Sequence, residues 1–148
     1  MGYLNDDRTH GKRCETLVKR TLEDTFGELT QDPERYASFD FFNDNYFVEH
    51  KQRNLTFGRY DSLMFEYSKY KTYLAKKKEN PSLRFFIVWS LTDGKYVWEF
   101  EDQFRGDDAV FMTDADMSVN RGTHVQNSTV VKVFNEYISK LDEFYVYI

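Results

Sequence analysis

Residues 39–51 read FDFFNDNYFVEHK, which is two β-forming runs on either side of a polar segment. The runs Tyr36–Phe42 and Tyr46–Arg53 are rich in aromatic and β-branched residues, which favour strands. The intervening Asn43-Asp44-Asn45 suits a tight loop, because Asn and Asp tolerate left-handed backbone conformations. These residues therefore predict a β-hairpin.

The length of the hairpin loop decides which side chains meet. Side chains alternate between the two faces of a strand, so Glu49 and Lys51 lie side by side, about 6.5 Å apart along the strand. A two- or four-residue loop pairs Asp40 with Glu49 on that face, with Cβ atoms about 4.5–5.5 Å apart. A three-residue loop would pair Asp40 with Val48 and separate the two acids. Asp44 is an alternative to Asp40, but its place at the turn favours a bond to its own backbone.

Two opposed carboxylates destabilise a sheet unless one is protonated or a cation lies between them. Carboxylate oxygens are the ligands that hard divalent cations prefer, so the pair suits Mg²⁺ or Mn²⁺. Lys51 could then orient or deprotonate an attacking water, or stabilise charge on a phosphate. Glu15 adds a carboxylate at the margin of the apolar stripe of the first helix. A salt bridge to Lys19 on the same helix is an equally good interpretation of Glu15.

The remaining pattern alternates helices and strands, which predicts an α/β fold, a three-layer-like sandwich with a central mixed sheet. The first helix covers residues 11–26 and ends at Gly27. The second is expected to start near Asp61 or Ser62 and to end at Asn80-Pro81. The later elements are a buried strand over Leu83–Leu91, a turn at Asp93-Gly94, a strand over residues 95–100, an acidic loop over residues 101–127, a strand over Thr129–Phe134 and a short helix over Glu136–Glu143.

Length and composition indicate one folded domain over residues 1–148, with a loose polar tail over residues 1–9. The chain has 14 Phe, 11 Tyr and 2 Trp but few Gly and Pro, which argues against disorder. No apolar run approaches the ~20 residues of a membrane span. The lone Cys14 excludes an internal disulfide and favours a reducing compartment, so we expect a cytoplasmic protein that does not bind membranes.

Charge is distributed unevenly along the chain. The net charge is −5, yet residues 50–78 carry eight Lys or Arg against Asp61 and Glu66. Such a stripe can bind a phosphate backbone, although a solvated helix face is the alternative. The second half of the chain, residues 79–148, is acidic.

These residues resemble the PD-(D/E)XK nuclease superfamily. The outline is a first helix of the form Gly11-x-x-x-Glu15-x-x-Val18-x-x-x-Leu22, then Asp40, then Val48-Glu49-His50-Lys51. The sequence looks most like small stand-alone members, such as archaeal Holliday-junction resolvases and phage endonucleases. The resemblance covers roughly residues 11–91. Phe39 stands where the family name has Pro, a departure that many members share.

The resemblance implies Mg²⁺-dependent (or Mn²⁺-dependent) hydrolysis of phosphodiester bonds in DNA, with an endonuclease as the expected activity. Asp40, Glu49 and the main-chain carbonyl of His50 would bind the metal. Lys51 would be the catalytic lysine, and Glu15 would support the metal shell.

Several residues after the hairpin are candidate contacts for nucleic acid. The resemblance implies a basic position on the second helix, which Lys69 fills. Tyr60 and Tyr73 are candidates for base stacking, whereas Tyr67 and Tyr70 share the apolar stripe and are expected to pack. The basic candidates are Arg53, Arg59, Lys69 and Lys71; a solvated loop is the alternative for the two arginines.

A rival interpretation is a catalytically silent domain of the same fold that binds nucleic acid or a protein. In that case the acidic residues 79–148 would form a protein-binding surface. A homodimer stays open, since one small domain cuts one strand at a time.

Overall fold

The structure is a computed structural model that describes residues 17–33, 39–100, 109–118 and 125–146. The predicted tail over residues 1–9 and the candidate Glu15 lie outside the described residues. Helix α1 covers residues 17–26 within this part of the chain. Gly27 ends it, as predicted, with a φ of 81° and an N–H donated to the Glu23 carbonyl at 3.0 Å.

Nine strands and a second helix follow in the described part of the chain. Helix α2 covers Tyr67–Glu79. The strands are β1 (Thr30–Gln31), β2 (Phe41–Phe42), β3 (Tyr46–Gln52), β4 (Ser62–Glu66), β5 (Arg84–Leu91), β6 (Gly94–Glu99), β7 (Ala109–Ser118), β8 (Val125–Phe134) and β9 (Ser139–Lys140).

Six of these strands form a central mixed sheet in the order β1-β2-β3-β5-β6-β9. β3 and β5 are parallel, and their connection contains β4 and α2; the other neighbours are antiparallel. β5 is buried on both faces from residue 85 to residue 91, and this stretch is apolar apart from Ser90. The predicted buried strand and the hairpin after it are confirmed, but the turn residues are Thr92 and Asp93, one position earlier than predicted, because Leu91 pairs with Gly94.

The central sheet separates two layers of core. On one face, Leu22 and Phe26 of α1 pack with Val48 and Phe86. On the other face, Tyr73 of α2 and side chains of β4 and β8 pack against Phe85, Ile87 and Trp89. The prediction of an α/β fold around a mixed sheet is therefore confirmed.

The second helix begins later than predicted. Residues 62–66 form strand β4, which pairs antiparallel with β8 in a separate sheet of order β4-β8-β7. Leu63 and Phe65 alternate into the core opposite Val133 and Val131. The partner strand lies almost seventy residues away, so a local capping signal at Ser62 misled the prediction.

The shift changes which side of α2 is buried. Tyr70 and Tyr73 are buried and Leu74 is exposed. Packing of Tyr70 is as predicted, and Tyr67 packs against the same cluster. The prediction that Tyr73 could stack on bases is wrong, since Tyr73 is enclosed by the aromatic rings of Phe85 and Phe100.

Two predictions for the second half of the chain are also wrong. The expected acidic loop over residues 101–127 contains strand β7 and the start of β8, held together by backbone pairing. The expected helix over Glu136–Glu143 is replaced by two single turns of 3-10 helix around β9. Neither helix in the described part of the chain has the length and apolar character that crossing a membrane requires.

Candidate active site

The hairpin of β2 and β3 has the register that brings the two acids together. Phe42 pairs with Phe47 and Phe41 with Val48, so the next step along the ladder sets Asp40 against Glu49. Asn43 fixes the loop, because its Oδ1 accepts the N–H groups of Asn45 and Tyr46 at 2.9 and 2.8 Å. The alternative pairing of Asp40 with Val48 is excluded.

Asn43 also anchors the hairpin to α1. Its Nδ2 donates to the carbonyl oxygens of Phe26 and Glu28 at 3.1 and 3.2 Å. Both carbonyls lie at the end of the helix, where backbone acceptors lack helical partners. The Asn43 side chain therefore both fixes the conformation of the hairpin loop and links the loop to the C-terminal end of α1.

Asp40 lies at the point where pairing between β2 and β3 stops. Its Oδ2 accepts the backbone N–H of His50 at 2.9 Å. Besides burial, the negative charge of Asp40 raises the pKa of the nearby Glu49 carboxyl group. The N–H and C=O of one strand residue point to the same side, so the His50 carbonyl points towards Asp40.

Glu49 is the most deeply buried charged residue in the described part of the chain, with 4% of the whole residue exposed. Its Oε2 lies 3.1 Å from the Nζ of Lys69, and its Oε1 has no hydrogen-bond partner there. Burial, and next the negative charge of Asp40, raise the pKa of Glu49 to about 8, although Lys69 acts in the opposite direction. Without a cation beside it, Glu49 therefore holds its proton at neutral pH.

Lys51 lies on the same face of β3 and is 8% exposed. Its Nζ is 2.7 Å from Oε1 and 2.6 Å from Oε2 of Glu66. Burial acts to raise the pKa of Glu66, but the charge and hydrogen bond of Lys51 outweigh it and hold this pKa below its usual value. The ion pair holds the Lys51 side chain on the face of β3 that also carries Glu49.

The sequence analysis did not assign Glu66 to the site. Glu66 ends β4 and directly precedes α2, so it belongs to an element that was predicted as helix. One signal was present in the sequence, because Glu66 and Asp61 are the two acids in the basic stretch 50–78. A glutamate that lies among eight basic residues is a candidate ion-pair partner for one of them.

The ring of His50 lies on the opposite face of β3 from Glu49 and Lys51. It makes a 2.7 Å hydrogen bond with Ser90 Oγ. Burial lowers the pKa of His50 to about 4, although Asp40 acts to raise it. The imidazole is therefore neutral at physiological pH, and only the main chain of His50 faces the site.

The described residues bring together a few oxygen atoms of the kind that ligate a hard cation. They contain no group of three or more His, Cys, Asp or Glu side chains placed as metal ligands. Asp40 and Glu49 with the His50 carbonyl make two carboxylates and one carbonyl, which are oxygen ligands of the kind that Mg²⁺ and Mn²⁺ take. The buried, unpartnered Glu49 Oε1 fits such a cation. Asp44 is exposed at the loop, but the side-chain bonds that hold the turn are accepted by Asn43 and not, as predicted, by Asp44.

The four basic candidates lie in different places. Lys69 contacts Glu49 within the site. Arg53 follows β3 and is exposed, with its Nη1 donating to the Gln52 carbonyl at 2.8 Å. Arg59 and Lys71 are also exposed, each near the face of a tyrosine ring. The structure thus brings Lys69 to the two acids and leaves the other three candidates on the surface.

Comparisons with protein-family models, curated proteins and solved structures found no match to this chain. The resemblance to the PD-(D/E)XK superfamily stays a prediction from the residues quoted above.

Proposed function

We propose that the protein is a Mg²⁺- or Mn²⁺-dependent nuclease with a PD-(D/E)XK core, which hydrolyses phosphodiester bonds in DNA as an endonuclease. The observation that supports it is the meeting of Asp40 and Glu49 on one face of the hairpin, with Lys51 one step along β3. A metal-dependent hydrolase needs such oxygen ligands beside a cationic group.

The proposed roles follow from the contacts of each group. Asp40, Glu49 and the His50 carbonyl hold the metal, and a bound Mg²⁺ supplies Lewis-acid stabilisation for charge on the phosphate. Lys51 is held by Glu66 as an ammonium group, from which it donates to a phosphate oxygen or orients the attacking water. Hydrolysis then adds water across one P–O bond of the backbone.

Plasmid cleavage tests the proposal. The wild-type protein is expected to nick or linearise a plasmid with Mg²⁺ or Mn²⁺ and to leave it intact in EDTA. Lys51→Ala should reduce the rate by about 10²-fold or more. Lys51→Met, which keeps the apolar stem of the buried side chain, should lose activity while staying folded. Lys78→Ala, at an exposed position of α2, is the matched control.

Cutting that survives Lys51→Ala undiminished would show that the activity belongs to a contaminant or to another site.

A silent domain that binds nucleic acid or a protein is the second candidate. The observation in its favour is that Lys51 pairs with Glu66 and Lys69 with Glu49, which partly neutralises the site without a cation. Calorimetric titration with Mn²⁺ separates the two candidates. A silent domain should show no binding that depends on both Asp40 and Glu49.

The cellular setting is part of the same proposal. The single cysteine, Cys14, favours a reducing compartment, and we propose the cytoplasm.

A further inference from the structure

A cleft of about 370 Å³ lies between the two sheets, next to the candidate active site. This volume is within the range of small-molecule sites in proteins. The residues that carry the inference are Arg53, Tyr60, Met64, Glu66, Trp89 and Lys132. A larger cavity of about 500 Å³, between α1 and the turn that joins β5 to β6, shares no residue with the site.

The inner wall of the cleft is apolar and fixed. Trp89 is 1% exposed, and its indole N–H is already satisfied by the Met64 carbonyl at 3.2 Å. Leu63, Phe65 and Val130 are buried beside it. The wall therefore offers a flat, apolar surface rather than polar groups that need a specific partner.

The rim of the cleft carries an exposed tyrosine and charges of both signs, the basic Arg53 and Lys132 and the acidic Asp61 and Glu66. Tyr60 is 58% exposed, and its backbone is fixed because Asn135 Nδ2 donates to the Tyr60 carbonyl at 2.5 Å. Lys132 lies on the rim and is held by Asp61 at 3.3 Å, and the exposed Arg53 lies nearby. An aromatic ring beside basic side chains is the combination that binds single-stranded nucleic acid, where the base stacks and the backbone meets the cations.

One residue joins the cleft to the candidate active site. Glu66 lines the cleft, and its carboxylate contacts the Nζ of Lys51 at 2.6–2.7 Å. A group bound in the cleft would therefore lie beside the phosphate that Lys51 is proposed to contact.

We propose that this cleft binds one unpaired base of the DNA strand adjacent to the bond that is cut. The inference rests on the proposed nuclease function and narrows its substrate to DNA with an unpaired nucleotide. The apolar wall takes the base, Tyr60 stacks on it, and Arg53 and Lys132 meet the flanking phosphates. The exposed Tyr60 beside the exposed Arg53, together with the adjoining candidate active site, favours a nucleotide over an apolar side chain of a protein partner.

Fluorescence anisotropy tests the inference in buffer with Ca²⁺ and no Mg²⁺ or Mn²⁺. Three labelled DNAs are compared: a perfect duplex, the same duplex with one bulged base, and a third with an abasic residue at the bulge. The wild-type protein is expected to prefer the bulged base over both others by about tenfold, the size of one stacked base. A bulged 2-aminopurine should also change its fluorescence on binding.

Two variants assign the preference to the cleft. Tyr60→Ala should abolish it, whereas Tyr145→Ala, which removes a tyrosine that is 69% exposed elsewhere, should retain it. Met64→Trp should also abolish it, because Met64 lines the cleft from an exposed strand position where Trp fills space without disturbing the core. Thermal unfolding of each variant checks that the fold is kept.

Equal affinity for the three DNAs would overturn the inference, and it is the result expected if the cleft takes a protein side chain instead. A preference for the bulged base that both cleft variants retain would also overturn it. Cleavage with Mg²⁺ is measured separately on the same DNAs. Cleft-dependent binding without cleavage would refute the nuclease function and keep base binding. Cleavage that does not depend on the unpaired base would refute base binding in the cleft and keep the nuclease function.

Discussion

Two glutamate–cation pairs on the central sheet differ in how completely the glutamate is paired. Glu99 on β6 binds Arg84 on β5 through both oxygens, with Nε–Oε2 at 2.8 Å and Nη2–Oε1 at 2.7 Å. Glu49 on β3 meets Lys69 through one oxygen at 3.1 Å, and its other oxygen has no hydrogen-bond partner in the described part of the chain. The first pair is complete and the second is not.

The two pairs also differ in burial, and burial determines the free-energy cost of an incompletely paired charge. The side chains of Arg84 and Glu99 are 28% and 33% exposed, whereas those of Lys69 and Glu49 are 19% and 6% exposed. A buried charge costs free energy unless it is fully paired, and the pKa of Glu49 is accordingly raised to about 8. Arg84–Glu99 thus has the properties of a structural pair, while Glu49 has those of a functional group that the fold holds at a cost.

The largest expected effect is on the DNA cleavage rate, compared between a variant of the Asp40–Glu49 site and a variant of the Arg84–Glu99 pair. Asp40→Asn should reduce the rate about a thousandfold, because the loss of a metal ligand removes several kcal/mol of charge stabilisation. Glu99→Gln should cleave within about twofold of the wild type. Rates are measured on supercoiled plasmid at saturating Mg²⁺. Equal losses in both variants would remove the functional distinction between the two pairs.

The next effect is on stability at alkaline pH without metal. The raised pKa means that folded Glu49 keeps its proton between pH 4.5 and about 8 while the unfolded chain loses it, so stability falls as pH rises through that window. Glu49→Gln removes this cost, because an amide stays neutral. The variant should be more stable than the wild type at pH 9, by up to about 5 kcal/mol.

Urea unfolding at pH 9 and at pH 4 measures this difference. The two proteins should be nearly equal at pH 4, and the contribution of His50 cancels in the comparison. Glu79→Gln, at an exposed position, should change neither value. A wild type that is the more stable protein at pH 9 would contradict the buried, incompletely paired state of Glu49.

A smaller effect concerns the pH dependence of metal binding. The metal needs ionised Glu49, so protons compete with it below the raised pKa of about 8. The apparent Kd for Mn²⁺ should rise by about tenfold between pH 7 and pH 6. Calorimetry in buffers of different ionisation enthalpy should also detect proton release on binding at pH 7. Affinity that is constant over this range would exclude Glu49 as a ligand.

The smallest effect is expected from the structural pair. Arg84→Lys replaces the two-bond fork with a single ammonium contact and should cost at most about 1 kcal/mol in unfolding free energy. Thermal or urea unfolding measures it. A loss of several kcal/mol would show that the Arg84–Glu99 pair, and not only the Glu49 cluster, behaves as a buried charge.

Local chemistry made the hairpin predictable. Asn43 and its neighbours signal a tight loop, and the period of two along β3 sets Glu49 and Lys51 on one face. The register depends on the loop length, which the sequence left open; the structure has the register of a two- or four-residue loop, the alternative that sets Asp40 against Glu49. The long apolar run of β5 was equally informative, because only a strand buried on both faces has that composition.

The partners of the two lysines could not be predicted in the same way. Glu66 reaches Lys51 only because residues 62–66 form β4, and β4 exists through pairing with β8 far along the chain. Helical propensity and a capping serine at Ser62 described the same residues just as well locally. The phase of α2 followed from that error, so Tyr73 was assigned to the surface although it lies in the core.

The most direct test of the central claim is a calorimetric titration of the protein with Mn²⁺ at pH 8. We expect binding by the wild type and by Glu99→Gln, with at least a tenfold weaker affinity in both Asp40→Asn and Glu49→Gln, since even removal of an outer partner of a metal ligand costs about 10–100-fold. Wild-type protein that binds no Mn²⁺, or binding that survives both substitutions unchanged, would contradict the claim that these two carboxylates share a cation.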